Sequence, residues 1–161
     1  MPDRPHPNAE LIARFYSALA RRDAEGMIAC YHARSTFCDP VFGELDHDAT
    51  AAMWRMLCAR GEDLTAAATD IQASDTEGRA HCEATYTYTT TGRFVRNRID
   101  ATFTFQEGRI FRHVDRFDLY RWLRQAFGAP GTLLGWIPMV QGALRARAAK
   151  QLAAYRSRHP A

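Results

Sequence analysis

Residues 79–117 read RAHCEATYTYTTTGRFVRNRIDATFTFQEGRIFRHVDRF, and this run decides the fold. It is rich in Thr, Tyr, Phe, Val and Ile, the side chains that suit a pleated, half-buried surface. Turn residues divide it at Thr91-Gly92-Arg93 and at Gln106-Glu107-Gly108-Arg109. Strands are therefore predicted over 79–90, 94–105 and 110–117. Upstream, 64–73 has a similar pattern, and Asp75-Thr76-Glu77-Gly78 separates it from the next strand. Gaps this short make antiparallel hairpins, because a parallel partner needs a crossover of about a dozen residues or more.

Towards the N-terminus the apolar period changes from two to that of a helix. Leu11, Ile12, Phe15, Tyr16, Ala18 and Leu19 form a stripe that Asn8 can cap. Asp23 can cap a short second helix with Met27, Ile28 and Tyr31 inward. Residues 35–42 read as an extended segment interrupted by Pro40, and Asp48 can cap a third helix carrying Met53, Trp54 and Leu57. Beyond the strands, Leu119, Trp122, Leu123 and Ala126 form a helical stripe that stops at Gly128. A loop with Pro130 and Gly131 leads to Leu133-Leu134-Gly135-Trp136-Ile137, a lid over a pocket or a contact with a second subunit. Pro138 then opens a last helix with Val140, Leu144, Ala148, Leu152 and Tyr155 on one side.

Helices followed by a curved antiparallel sheet are α+β. The helices cover one face, and the hollow between the layers is the place for a small apolar ligand. The 161 residues suit one domain over 1–161.

Composition narrows the function classes. No apolar run approaches the ~20 residues of a membrane helix, and the polar start Met1-Pro2-Asp3-Arg4 does not resemble a secretory leader, so a cytoplasmic home is expected. Cys30, Cys38, Cys58 and Cys82 lack Cys-x-x-Cys spacing, and the histidines at 6, 32, 47, 81, 113 and 159 are scattered. Neither a metal nor a phosphate-binding cofactor is expected. The net charge of +3 hides an asymmetry. From Leu119 onward there are seven basic and no acidic side chains; the first 118 residues hold the other 14 basic and all 18 acidic ones. Such a tail pairs with the acidic body, with a partner subunit or with an anionic surface. Aromatic residues are too sparse among its basic ones to favour nucleic acid.

Two stretches carry a resemblance. Asp23-x-x-Gly26-Met27 followed by Phe37-Cys38-Asp39-Pro40-Val41-Phe42-Gly43 resembles the opening of ketosteroid isomerases and SnoaL-like proteins. Gly108-Arg109-Ile110-Phe111-Arg112-His113-Val114-Asp115-Arg116-Phe117-Asp118 resembles the SnoaL-like ending. The resemblance covers a core at about 8–127, leaving 128–161 as a helical extension, and implies the cone-shaped NTF2-like fold, a deep pocket and a homodimer. It leaves the chemistry open, because this fold hosts isomerases, cyclases, epoxide hydrolases and binders without catalysis.

The candidate catalytic residues are Asp39, His113 and Asp115. By the resemblance, Asp39 matches the general base of ketosteroid isomerases. Its apolar neighbours Phe37, Phe42 and Trp54 would raise its pKa into a useful range. The alternative is an Asp-Pro turn whose carboxylate bonds nearby amides. Alternation places Phe111, His113, Asp115 and Phe117 on one face of the last strand. By resemblance to SnoaL-like cyclases Asp115 acts as acid or base, with His113 sharing its proton; the alternative is a structural pair. Tyr16, Phe37, Trp54, Phe111, Phe117 and Trp122 are the candidate ligand-binding residues, with core packing as the other reading of Tyr16 and the tryptophans. The ketosteroid isomerase alignment puts Phe15, not Tyr16, at the hydrogen-bond donor position. Asp100 resembles the second donor, yet Ile99, Ala101, Phe103 and Phe105 define the apolar face and send Asp100 to the other. A steroid-type isomerase needs both donors, so that activity is not expected. The two readings that remain are cofactor-free acid/base catalysis on an apolar carbonyl, epoxide or polyketide-like compound, and a non-catalytic binding or assembly module.

Overall fold

A computed structural model describes residues 4–161. Residues 1–3, which belong to the polar start read above, lie outside the described residues. The chain opens with helices α1 (Pro7–Ala20) and α2 (Ala24–Ile28), strands β1 (Tyr31–Asp39) and β2 (Gly43–Leu45), and helix α3 (His47–Arg60). Strands β3 (Thr65–Ala73), β4 (Glu77–Tyr88), β5 (Arg93–Gln106) and β6 (Arg109–Arg116) follow. Helices α4 (Leu119–Phe127), α5 (Ala129–Leu134) and α6 (Pro138–Arg158) end it.

The described strands form one six-stranded sheet in the order β2-β1-β6-β5-β4-β3. The three predicted hairpins pair β3 with β4, β4 with β5 and β5 with β6, all antiparallel. β1 lies parallel to β6, which the intervening helix and hairpins permit. The architecture is α+β: helices on the concave face of a curved, unclosed sheet, with a helical C-terminal extension.

The helix caps differ in detail from the sequence expectation. His6, not Asn8, caps α1, its Nδ1 accepting the Asn8 amide. The Asn8 side chain instead donates to the carbonyls of Ser74 and Asp75, which fastens α1 to the β3–β4 turn. Asp46, two residues before Asp48, caps α3 by accepting from Ala49 N. Asp23 caps α2 as expected. The loop expected around Pro130 is helical.

Two packed clusters result. The larger joins α1, α3 and the sheet around Ile12, Phe15, Phe37 and Met53. The smaller joins α4 to the sheet and α6 through Val95, Trp122, Leu123 and Leu144. The stripe Leu119, Trp122, Leu123 and Ala126 is buried as its spacing predicts. All four cysteines are free.

Candidate functional site

A cavity of about 220 Å³ opens between the two clusters, walled by α1, α3, α6 and the concave side of the sheet. Drug-sized pockets begin near ~300 Å³, so this one suits a compact ligand. Its mouth passes exposed Arg60, Thr89, Thr90 and Arg147.

At its floor lies a buried hydrogen-bonded chain. The Trp54 indole N–H donates to Tyr31 Oη at 3.1 Å. Tyr31 Oη lies 2.7 Å from His113 Nδ1, and His113 Nε2 lies 2.8 Å from Asp115 Oδ1. One polarity gives every proton an acceptor: Tyr31 donates to Nδ1, and the Nε2 proton goes to the Asp115 carboxylate. Aromatic rings hold this imidazole from several sides. Phe15 and Phe37 meet it edge-on with centroids 5.3 and 5.0 Å away, and Phe103 lies 4.5 Å away at a tilt. Burial pushes the Tyr31 hydroxyl well above its ordinary range, so it works as a neutral donor.

Asp39 lies at the end of β1, where the chain turns at Pro40. Its Oδ1 accepts from the amides of Val41 and Phe42 at 2.8 and 2.6 Å, the Asp-Pro turn of the sequence reading. The other oxygen has no protein partner among the described residues. Burial pushes this carboxyl up to about 6, and the Asp115 charge adds to the rise; the two amide hydrogen bonds pull the other way. Asp39 thus both fixes the turn and lines the cavity.

Tyr16 also lines the cavity, and its hydroxyl is the one buried side-chain polar atom without a hydrogen-bond partner among the described residues. Burial and the Asp115 charge hold that hydroxyl well above its ordinary pKa. An O–H left bare at a cavity wall costs stability unless something enters to accept it.

The matching family describes a SnoaL-like domain and covers residues 12–113. The chain belongs to the SnoaL-like family. Solved structures of this fold include an NTF2-like protein of unknown function from Burkholderia pseudomallei (20% identity, 76% of this chain and 99% of that one, TM-score 0.67). An LEH-like epoxide hydrolase from M. tuberculosis is 18% identical over 83% of this chain and 95% of its own, with TM-score 0.63. A ketosteroid isomerase-like protein from Catenulispora acidiphila, in complex with trimethylamine, is 14% identical over 80% of this chain and 98% of its own, with TM-score 0.67. The comparison with curated proteins finds no match.

Within the SnoaL-like match lie Tyr16, Phe37, Asp39, Trp54 and His113; Asp115, Phe117 and Trp122 follow it, and all eight line the cavity. Phe111 does not, and needs correction. A register shift between β5 and β6 pairs Thr104 with Arg112 but Phe105 with Ile110. The extra residue breaks the alternation, so fully buried Ile110 takes the core position and Phe111 packs on His32 instead. Asp100 is exposed and bonds His81 on the other side of the sheet, as its register predicts. Segment 133–137 does not reach the cavity; α6 covers it through Leu144, Arg147, Ala148 and Gln151.

Sequence reasoning missed three polar residues of the site, Tyr31 behind the wall and Asn97 and Tyr86 on it. Tyr31 reads as helix packing but begins β1. Asn97 is buried at the cavity wall in β5; a polar residue alternating in phase with Val95 and Ile99 was the available signal. Tyr86 accepts from the Trp122 indole at 2.7 Å, and burial pushes its hydroxyl up to about 12. Among the described residues no His, Cys, Asp and Glu cluster could hold a metal ion.

Proposed function

We propose that this SnoaL-like protein is a cofactor-free acid/base enzyme acting on a compact, apolar molecule that carries a carbonyl or epoxide oxygen. The observation that carries the reading is the pair of carboxylates at one apolar hollow in unequal surroundings: Asp115 fastened to His113, Asp39 with one bare oxygen and a pKa of about 6. Carboxylates whose environments differ in this way divide acid and base roles. Above pH 6 the bare Asp39 oxygen takes a proton from the carbon beside a carbonyl. The C–H electron pair moves onto the carbonyl oxygen, where the unpartnered Tyr16 O–H meets it. Asp39 then returns the proton to the product. The chain Trp54–Tyr31–His113 holds Asp115 still beside this reaction. With an epoxide, protonated Asp39 donates to the opening oxygen, and the free side of Asp115 draws a proton from the attacking water.

In this reading residues 8–127 build the hollow, the 128–161 extension roofs it, and the protein works as a cytoplasmic homodimer. Turnover of a panel of small enones, epoxides and polyketide-like compounds tests it. Asp39→Asn and Asp115→Asn should each lower kcat by about 100-fold or more, with Asp100→Asn unchanged. Turnover indifferent to both substitutions overturns it.

A second reading has its own support. Phe15, not a tyrosine, occupies the position that the family resemblance gives to a donor, and Asp39 is already bound to two amides. A non-catalytic binder with the same hollow predicts ligand affinity without turnover and little change in Kd for Asp39→Asn.

A further inference from the structure

Between α5 and α6 the chain holds four large apolar side chains out into solvent: Leu133 at 70% exposure, Leu134 at 48%, Trp136 at 65% and Met139 at 80%. Packing does not require this, because none of them lines the cavity or joins either core cluster. Nor is the segment loose. The Trp136 indole N–H donates to the Leu133 carbonyl at 3.0 Å, and the Gln141 amide donates to the Gly135 carbonyl at 2.9 Å. Tyr120 Oη donates to the Thr132 carbonyl at 2.8 Å. A Cβ on Gly131 would collide with the Leu123 carbonyl oxygen, so α5 is seated directly on α4. A tryptophan with its N–H satisfied, flanked by two leucines and a methionine on a rigid turn, is a wedge suited to the boundary of a lipid layer.

The charge around the wedge selects its partner. The Arg124 guanidinium lies 5.6 Å from the Tyr120 ring, beside the strut that holds Thr132. Arg121 on α4 and Lys150 on α6 are also exposed, and there is no Asp or Glu from Leu119 to the end of the sequence. We propose that this face docks the protein on an anionic lipid bilayer, with Leu133, Trp136 and Met139 entering the headgroup boundary and the arginines lying against lipid phosphates. A second copy seated symmetrically on the same patch would set one cationic surface against another. Single-stranded nucleic acid needs a row of free aromatic faces among the basic residues; after Leu119 the only exposed aromatic is Trp136, and Tyr155, the aromatic of α6, is stacked on His159 with centroids 4.2 Å apart. The surface lies outside residues 12–113, the span of the SnoaL-like match.

The test uses the full chain with vesicles of phosphatidylcholine alone or mixed equally with phosphatidylglycerol. Trp54 and Trp122 are buried, so any change in tryptophan emission on binding comes from Trp136. The expected result is co-sedimentation at low salt about tenfold or more in favour of the anionic vesicles, a blue shift in emission, and quenching by brominated acyl chains. Raising the salt should release the protein, and the double variant Leu133→Ser/Trp136→Ser should lose about tenfold in partition with an unchanged melting temperature. Equal binding to both vesicles, no binding at low salt, or no brominated-lipid quenching in the unaltered protein overturns the proposal. So does light scattering that finds a dimer in the parent and a monomer in the double variant, which assigns the patch to a second copy.

Discussion

Asp39 is bonded through one oxygen and bare at the other, and its protonation links the site to stability. Its folded pKa of about 6 lies above the ordinary carboxylate value, so folding favours the protonated form. The resulting penalty is present above pH 6 and disappears as the pH falls below the unfolded pKa. At roughly 1.4 kcal/mol per pKa unit its ceiling is about 3 kcal/mol. Asp39→Asn keeps an oxygen for the Val41 and Phe42 amides and removes the charge. Urea unfolding should therefore show the variant more stable than the parent by about 1–3 kcal/mol near pH 8, with the difference gone near pH 3. Tyr31→Phe works in the opposite direction. It leaves the Trp54 N–H and His113 Nδ1 without their shared partner and should cost about 1–3 kcal/mol in the same measurement. His113 and Asp115 were legible because they interrupt an apolar strand face at fixed phase, and Asp39 because the stretch around Pro40 resembles ketosteroid isomerases. Tyr31 was not, because a tyrosine between a helix and a strand fits either pattern.

The elements divide by how local their causes are. β3 to β6 follow from composition and short turns, and each appears within a few residues of its expected place. The parallel pairing of β1 with β6 joins segments about seventy residues apart in sequence, so no local pattern announces it. The β5–β6 register shift is invisible for the same reason, and it alone turns Phe111 away from the site. The short helix α5 was hidden by Pro130 and Gly131, residues that usually mark loops. Here Pro130 lies in the first turn, where its missing N–H costs nothing, and Gly131 admits the Leu123 carbonyl. Gly131→Ala cannot fit without moving α5 away from α4, so it should lower stability by about 1–3 kcal/mol in a thermal melt. Amide exchange over 129–137 should quicken with it.

For the molecule as a whole the consequence is size. A hollow of about 220 Å³ favours small ligands, and any that binds the folded state alone raises its stability by mass action. At a hundredfold excess over Kd that gain is about 2.7 kcal/mol, read as a rise in Tm; steroid-sized compounds should produce none. α6 is tied to the Asp39–Pro40 turn, because Arg145 Nε donates to the Pro40 carbonyl at 2.9 Å. Arg145→Gln should therefore weaken ligand binding through the Asp39 turn without touching the ligand, seen as a raised Kd with the fold intact. One thiol, Cys82, faces the hollow, and burial pushes it up to about 12. It stays protonated at any working pH, and a protonated sulfur is a poor nucleophile. An alkylating guest such as an epoxide would thus find no reactive sulfur in its berth, and the hollow itself would outlast repeated encounters with such a reagent.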